Sequence, residues 1–213
     1  MQIISHRGYW KDMTERNQPV AFERSFTLGF GTETDLRDRN GEIVISHDMA
    51  DDTCISLSHF LDIYAACKDN VILALNIKAD GLQRSLKQSL EERDLKNYFV
   101  FDMSIPDTLG YTREGIRFFS RQSEYEPQPA LYDDCAGIWL DAFMSTWYQP
   151  SLILEHVRRG KQVAIVSPDL HKRDYNSFWD ELKKHEIHKI EEVILCTDHP
   201  EDAQQFFTET IWQ

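Results

Sequence analysis

Four residues in the first quarter of the chain, His6, Glu33, Asp35 and His47, could do acid–base and cation chemistry together. Glu33 and Asp35 stand two apart, so on a strand both carboxylates aim to one side. Two carboxylates side by side repel unless a cation lies between them, and a hard divalent ion with oxygen ligands suits such a pair. His6 and His47 lie on separate segments and have an unperturbed pKa near neutrality, which lets one remove a proton and the other return it. Asn76 and Lys78 repeat the two-residue spacing at the end of a third apolar run. Arg7 and Lys78 supply the local positive charge that an anionic substrate needs in a chain of net charge −13.

Such residues must be brought together by the elements that carry them. Short apolar runs at 3–5, 32–36, 71–77, 98–102, 116–120, 138–141, 162–166 and 192–196 alternate with amphipathic segments. The runs are apolar throughout, as parallel strands buried on both faces should be. The spacing predicts helices over 18–29, 56–67, 81–93, 104–113, a short one near 128–135, then 150–159, 175–186 and 200–209. The last of these follows Asp198-His199-Pro200, which reads as a capping Asp with a first-turn Pro. Eight strand–helix pairs predict a single (β/α)8 TIM barrel spanning 1–213, lean beside the usual length of about 250 residues. An open doubly wound sheet would show a glycine-rich phosphate loop after strand one, and Ser5-His6-Arg7-Gly8 stands there instead. Asn40-Gly41 marks a hairpin decorating the second strand. In a barrel, chemistry sits at the carboxyl ends of the strands, where His6, Glu33, Asp35, Asn76 and Lys78 all fall.

The order of these pieces resembles the opening of the glycerophosphodiester phosphodiesterases. The resemblance rests on Ile4-Ser5-His6-Arg7-Gly8, Ala21-Phe22-Glu23-Arg24-Ser25 with Gly29, Thr32-Glu33-Thr34-Asp35-Leu36-Arg37 and Asn40 through Asp48. Ala74-Leu75-Asn76-Ile77-Lys78 is similar to that family's third-strand motif, Thr197-Asp198-His199-Pro200 to its last-strand ending, and Asn17 could match a signature Asn. The resemblance implies His6 and His47 as the acid–base pair, Glu33 and Asp35 as ligands of Mg2+ or Ca2+, and Arg7 and Lys78 as phosphate contacts. It places a third metal ligand, a Glu in the family, at Asn76, which keeps an oxygen donor but loses the charge and so implies weaker metal binding. It implies metal-dependent cleavage of a glycerophosphodiester-like diester. The alternative is a catalytically weak or inactive phospho-ligand binder on the same scaffold. The family's insertion after the His-Asp pair is missing, since only Met49 to Ile55 separate it from the second helix. That implies an open mouth suited to a bulky or glycan-bearing diester, unless a loop near 121–135 folds over it.

Composition narrows the partners. A chain this acidic repels nucleic acid and anionic membrane, and no apolar run approaches a membrane span. Cys54, Cys67, Cys135 and Cys196 form no CxxC or zinc spacing and read as free thiols of a cytoplasmic protein. No HxH on the first strand supports a zinc amidohydrolase. The oligomeric state is not legible. Asp102, Asp141 and Asp198 end strands and would face the mouth or cap helices. Arg37, Asp38 and Arg39 read as a solvated charge run and His171 as a loop residue. Trp139, Trp147 and Tyr148 would pack in the core or line the rim. His59, His156, His185, His188 and His199 read as surface.

Overall fold

The computed structural model describes residues 1–67 and 70–209. Among these residues nine strands, β1 (Gln2–His6), β2 (Gly31–Arg39), β3 (Glu42–Ile45), β4 (Leu73–Ile77), β5 (Tyr98–Phe101), β6 (Phe119–Gln122), β7 (Gly137–Leu140), β8 (Gln162–Val166) and β9 (Val193–Thr197), form one sheet. All but β3 run parallel, in the order β5-β4-β2-β1-β9-β8-β7-β6. A parallel bridge from Val100 to Phe118 joins the two ends, so the sheet curls into a nearly closed (β/α)8 barrel. The hairpin is present as read: β3 pairs antiparallel with β2 across Asn40-Gly41.

Among the described residues seven α-helices sheathe the barrel: α1 (Pro19–Thr27), α2 (Leu57–Ala65), α3 (Gln83–Glu91), α4 (Ile105–Glu114), α5 (Pro150–Arg158), α6 (Asn176–Lys184) and α7 (Pro200–Thr208). The Ser56 hydroxyl caps α2 by accepting from the His59 amide, and Pro19, Pro150 and Pro200 open their helices where no amide donor is needed. The helix expected near 128–135 is absent. Pro127 and Pro129 interrupt the segment, and Leu131 takes a left-handed φ of 53°. The chain instead descends beside β6, with Ser120 Oγ donating to Ala130 O and Gln122 Nε2 to Pro127 O. It runs along the wall and not over the mouth.

Two apolar cores result. The outer one lies between strands and helices. The inner one fills the barrel with Ile4, Ala74, Phe99, Phe101, Phe119, Trp139, Ala164 and Cys196 among others. Phe99 stacks on Phe119 with ring centres 3.7 Å apart, and Phe101 on Trp139 at 3.9 Å. Side chains alternate along a strand, so the residue two beyond an inward apolar one faces the mouth. Ile4 is followed by His6, Ala74 by Asn76, Phe119 by Arg121, Trp139 by Asp141 and Cys196 by Asp198.

Candidate active site

The ladder sets the site's geometry. His6 pairs with Glu33 across β1 and β2, and Asp35 pairs with Asn76 across β2 and β4. Beyond His6 the chain reverses through two left-handed residues, Arg7 (φ 59°) and Gly8 (φ 80°). A Cβ on Gly8 would lie 2.6 Å from that of Ala21, so only glycine lets this turn press onto α1. The reversal points the Arg7 amide at Glu33 Oε2, 3.2 Å away, and brings Arg7 Nε to 3.1 Å from Asp35 Oδ2. Lys78 Nζ lies 3.4 Å from Asp35 Oδ1 and 4.0 Å from Asp102 Oδ2.

Glu33, Asp35 and Asn76 are buried. Burial, and then the charge of Asp35, push the Glu33 carboxyl well above the usual carboxylate range. Asn76 Oδ1 is a buried acceptor that receives no hydrogen bond, and Asp35 Oδ1 meets only the Lys78 ammonium, at 3.4 Å. A buried acceptor without a donor is costly, and a carboxylate that resists ionising beside another asks for positive charge. Among the described residues no group of three or more His, Cys, Asp or Glu side chains is disposed to hold a metal ion. The set here is two acids and an amide, an all-oxygen donor set that fits a hard divalent cation with reduced charge.

His6 is held by a residue from the far end of the chain. Its Nδ1 lies 2.9 Å from Asp198 Oδ1, and its Nε2 4.0 Å from Glu33 Oε2. A carboxylate can only accept, so Nδ1 carries the proton and Nε2 is left free. Burial would raise Asp198, but the hydrogen bond with His6 and the charges of His6 and Arg16 outweigh it and hold the carboxyl below its ordinary value. The sequence reading of Asp198 as a helix cap is therefore corrected. His199 takes the cap position, and Asp198 serves the site. Asp169 braces the arrangement, accepting from Thr197 Oγ1 at 2.9 Å and the Asp198 amide at 2.7 Å.

His47 stands apart. It sits on the connection after β3 with 43% of its side chain exposed, and no ion pair or hydrogen bond joins it to His6, Glu33 or Asp35. Its Nδ1 lies 2.9 Å from Asp48 Oδ1, and Arg37 donates to its carbonyl at 3.1 Å. Asp48 is held below its usual range, first by that hydrogen bond and the charge of His47, then by Arg7 and Arg37. The loop thus lies within electrostatic reach of Arg7, and His47 has the same free Nε2 as His6.

Two further residues join the site. Asn17, in the connection before α1, donates from Nδ2 to Asp35 Oδ2 at 2.9 Å and accepts from Thr34 Oγ1 at 2.8 Å. The signal for it was the signature match alone. Arg121 was missed because the apolar run Ile116–Phe119 draws the strand to 116–120, whereas β6 spans Phe119–Gln122 and ends Arg121 at the mouth against Asp102.

Of the remaining residues read from the sequence, the surface placement of His156, His188 and His199 is corrected. Trp139 and Tyr148 are buried, and Trp147 is half-buried with its Nε1 donating to Asp141 O at 2.8 Å, so these three pack in the core and do not wall the rim. His156 is buried between Gln122 and Tyr132, and His188 and His199 are half-buried against Phe207 and Tyr175. His171 pairs with Asp141, Nε2 to Oδ1 at 2.7 Å. All four cysteines are free thiols, Cys135 and Cys196 buried, Cys54 and Cys67 half-buried. No described helix is long and apolar enough to cross a membrane.

Neither a protein-family profile nor a curated protein matches the sequence. Solved structures do match the fold. A candidate glycerophosphodiester phosphodiesterase from Galdieria sulphuraria superposes with a TM-score of 0.78 at 18% identity, covering 98% of each chain. An Oleispira antarctica phosphodiesterase in complex with the product sn-glycerol-3-phosphate gives 0.71 at 14% identity, over 98% of this chain and 97% of that one. The glycerophosphodiester phosphodiesterase of Agrobacterium tumefaciens gives 0.69 at 14% identity, over 97% and 98%. Across nearly its whole length, the chain has the fold of the solved glycerophosphodiester phosphodiesterases.

Proposed function

We propose that the protein is a phosphodiesterase of the glycerophosphodiester phosphodiesterase family, cleaving a glycerophosphodiester-like diester with His6 and His47 as its proton-transfer pair. The observation that carries this is the state of the two imidazoles. Each has Nδ1 against a carboxylate, Asp198 for His6 and Asp48 for His47, which leaves Nε2 free to take or give a proton at the reacting oxygens. Arg7 and Lys78, which meet on Asp35, provide the positive charge that receives the phosphate oxygens. Glu33, Asp35 and the Asn76 amide would hold Mg2+ or Ca2+, which when bound neutralises phosphate charge and lowers the pKa of an attacking hydroxyl. The fold shared with a phosphodiesterase that holds sn-glycerol-3-phosphate supports a diester of that class.

Turnover of bis-p-nitrophenyl phosphate and glycerophosphocholine, with Mg2+ or Ca2+ and with EDTA, tests the reading. His6→Ala and His47→Ala each lower kcat by a factor of about 100 to 10,000. Asp198→Asn lowers kcat with KM little changed, because it disturbs the tautomer of His6 and not the phosphate contacts. Wild-type rates in either histidine variant sink the assignment. A second reading, a phospho-ligand binder, draws on Asn76 and on the pairing of Asp35 with Arg7 and Lys78. Tight diester binding without turnover under any metal favours it.

A further inference from the structure

A cavity between α5 and α6 has no part in the chemistry above. Its volume is about 380 Å3, and Tyr148, Ile153, Arg173, Phe178 and Leu182 line it, with Asp174 and Glu181 at its opening. Ile153, Phe178 and Leu182 are buried, whereas Asp174 and Glu181 are exposed. A concave site that sets a few polar groups among apolar ones suits a small molecule.

Two of those polar groups lack partners. Tyr148 is 5% exposed, and its hydroxyl is buried with no hydrogen bond. Burial, and then the charge of Asp141, push this phenol above its ordinary pKa, so it stays neutral and keeps a proton to donate. Arg173 is half-buried. One of its terminal nitrogens donates to Ala142 O, its Nε is buried with no acceptor, and among the described residues no carboxylate pairs with it. Buried donors without acceptors are costly, so a ligand that brings acceptors to both is favoured. A carboxylate does so, and it also neutralises the guanidinium.

The opening carries the opposite charge. Asp174 follows Arg173 directly and accepts from Asn176 Nδ2 at 3.0 Å and Ser177 Oγ at 3.2 Å. Glu181 faces Lys184 at 2.9 Å and His185 at 3.4 Å. A plain carboxylate is repelled by these two acids, and a plain amine by Arg173. A molecule with both charges on one carbon matches a cation and an anion that are neighbours in the chain. We propose that this cavity binds a free α-amino acid with an apolar side chain. Its carboxylate lies at Tyr148 and Arg173, its ammonium toward Asp174 and Glu181, and its side chain against Ile153, Phe178 and Leu182. The site is independent of the phosphodiesterase reading. It borders the mouth, because Ala142 follows Asp141, which pairs there with His171.

Leucine, isocaproate and isopentylamine separate the two charges, since the second lacks the ammonium and the third the carboxylate. In calorimetric titrations of the wild type, leucine binds and each of the others is weaker by about tenfold or more, the worth of one hydrogen bond to a charged group. Leucine also raises Tm. Tyr148→Phe keeps the ring and removes an unpartnered hydroxyl, so the unliganded variant unfolds at the wild-type Tm or above it, while its affinity for leucine falls by about tenfold. Glu181→Gln, at an exposed position, weakens leucine but not isocaproate. No heat from leucine at millimolar concentration, equal affinity for isocaproate, or a Tyr148→Phe variant that binds leucine as the wild type does overturns the inference. So does a Tyr148→Phe variant that unfolds well below the wild type, which would show the hydroxyl already partnered.

Discussion

Asn76 is the residue on which the character of the site turns. It sits opposite Asp35 in the ladder, buried, with its carbonyl oxygen unpartnered. Asn76→Glu places a third carboxylate there. Without metal the variant is destabilised by about 3 kcal/mol, since like charges are buried without compensation. With Ca2+ the order reverses, because one more charged ligand tightens the ion and binding to the native state raises Tm. Calorimetry and thermal unfolding with and without Ca2+ check this, and an unchanged affinity removes Asn76 from the ligand set. Much at this scale was legible. His6, Glu33, Asp35, Asn76 and Lys78 stand at strand ends, and the two-residue period brings their side chains to one face. The partner of His6 was not, because Asp198 is 192 residues away and nothing local separates it from Asp102 or Asp141. The burial of His156 was recoverable. It follows Ile153 by three residues on α5, and both belong to the stripe that faces the core.

The element that positions the chemistry is the turn from β1 to α1. Arg7 and Gly8 reverse the chain, the Gly8 amide donates to Thr32 Oγ1 at 2.9 Å, and the Asn17 amide returns to Arg7 O at 2.9 Å. Gly8→Ala costs about 2 kcal/mol or more, from the left-handed φ together with the clash on Ala21. Urea unfolding measures the loss, and a cost below about 0.5 kcal/mol means the turn relaxes freely. Helices and strands were legible because their periods differ and their caps are chemically distinct, as Ser56 before α2 illustrates. The segment after β6 was not, for a helical pattern was expected where Pro129 biases Gln128 away from helical dihedrals and Leu131 takes a left-handed φ. The placement of β6 slipped for a related reason. Ile116, Phe118 and Phe119 are all buried, but only from Phe119 onward does the chain pair with β7.

At the scale of the molecule, the barrel is weakest where β5 meets β6. A single bridge and the Val100 amide bond to Arg117 O at 3.0 Å join them, while neighbouring strands share full ladders. Aromatic stacking inside the barrel spans the same seam, Phe99 on Phe119 and Phe101 on Trp139. Phe119→Ala therefore lowers stability by about 3–5 kcal/mol, read by denaturant unfolding, with a larger share in the unfolding rate if the seam closes late. A loss under about 1 kcal/mol means the ring contributes little to closure. The barrel itself was legible from the count of eight alternations, but not its point of weakness, which depends on hydrogen bonds and not on hydrophobicity. The bond between His6 and Asp198 has a further consequence. Every other group that touches the proposed cation site lies before residue 79, yet the first imidazole is oriented only when β9 docks beside β1. During synthesis the binding half of the site is complete long before the proton-transfer half. Catalytic competence therefore arrives only when β9 docks beside β1, and the active site doubles as a reporter of the arrival of the last strand.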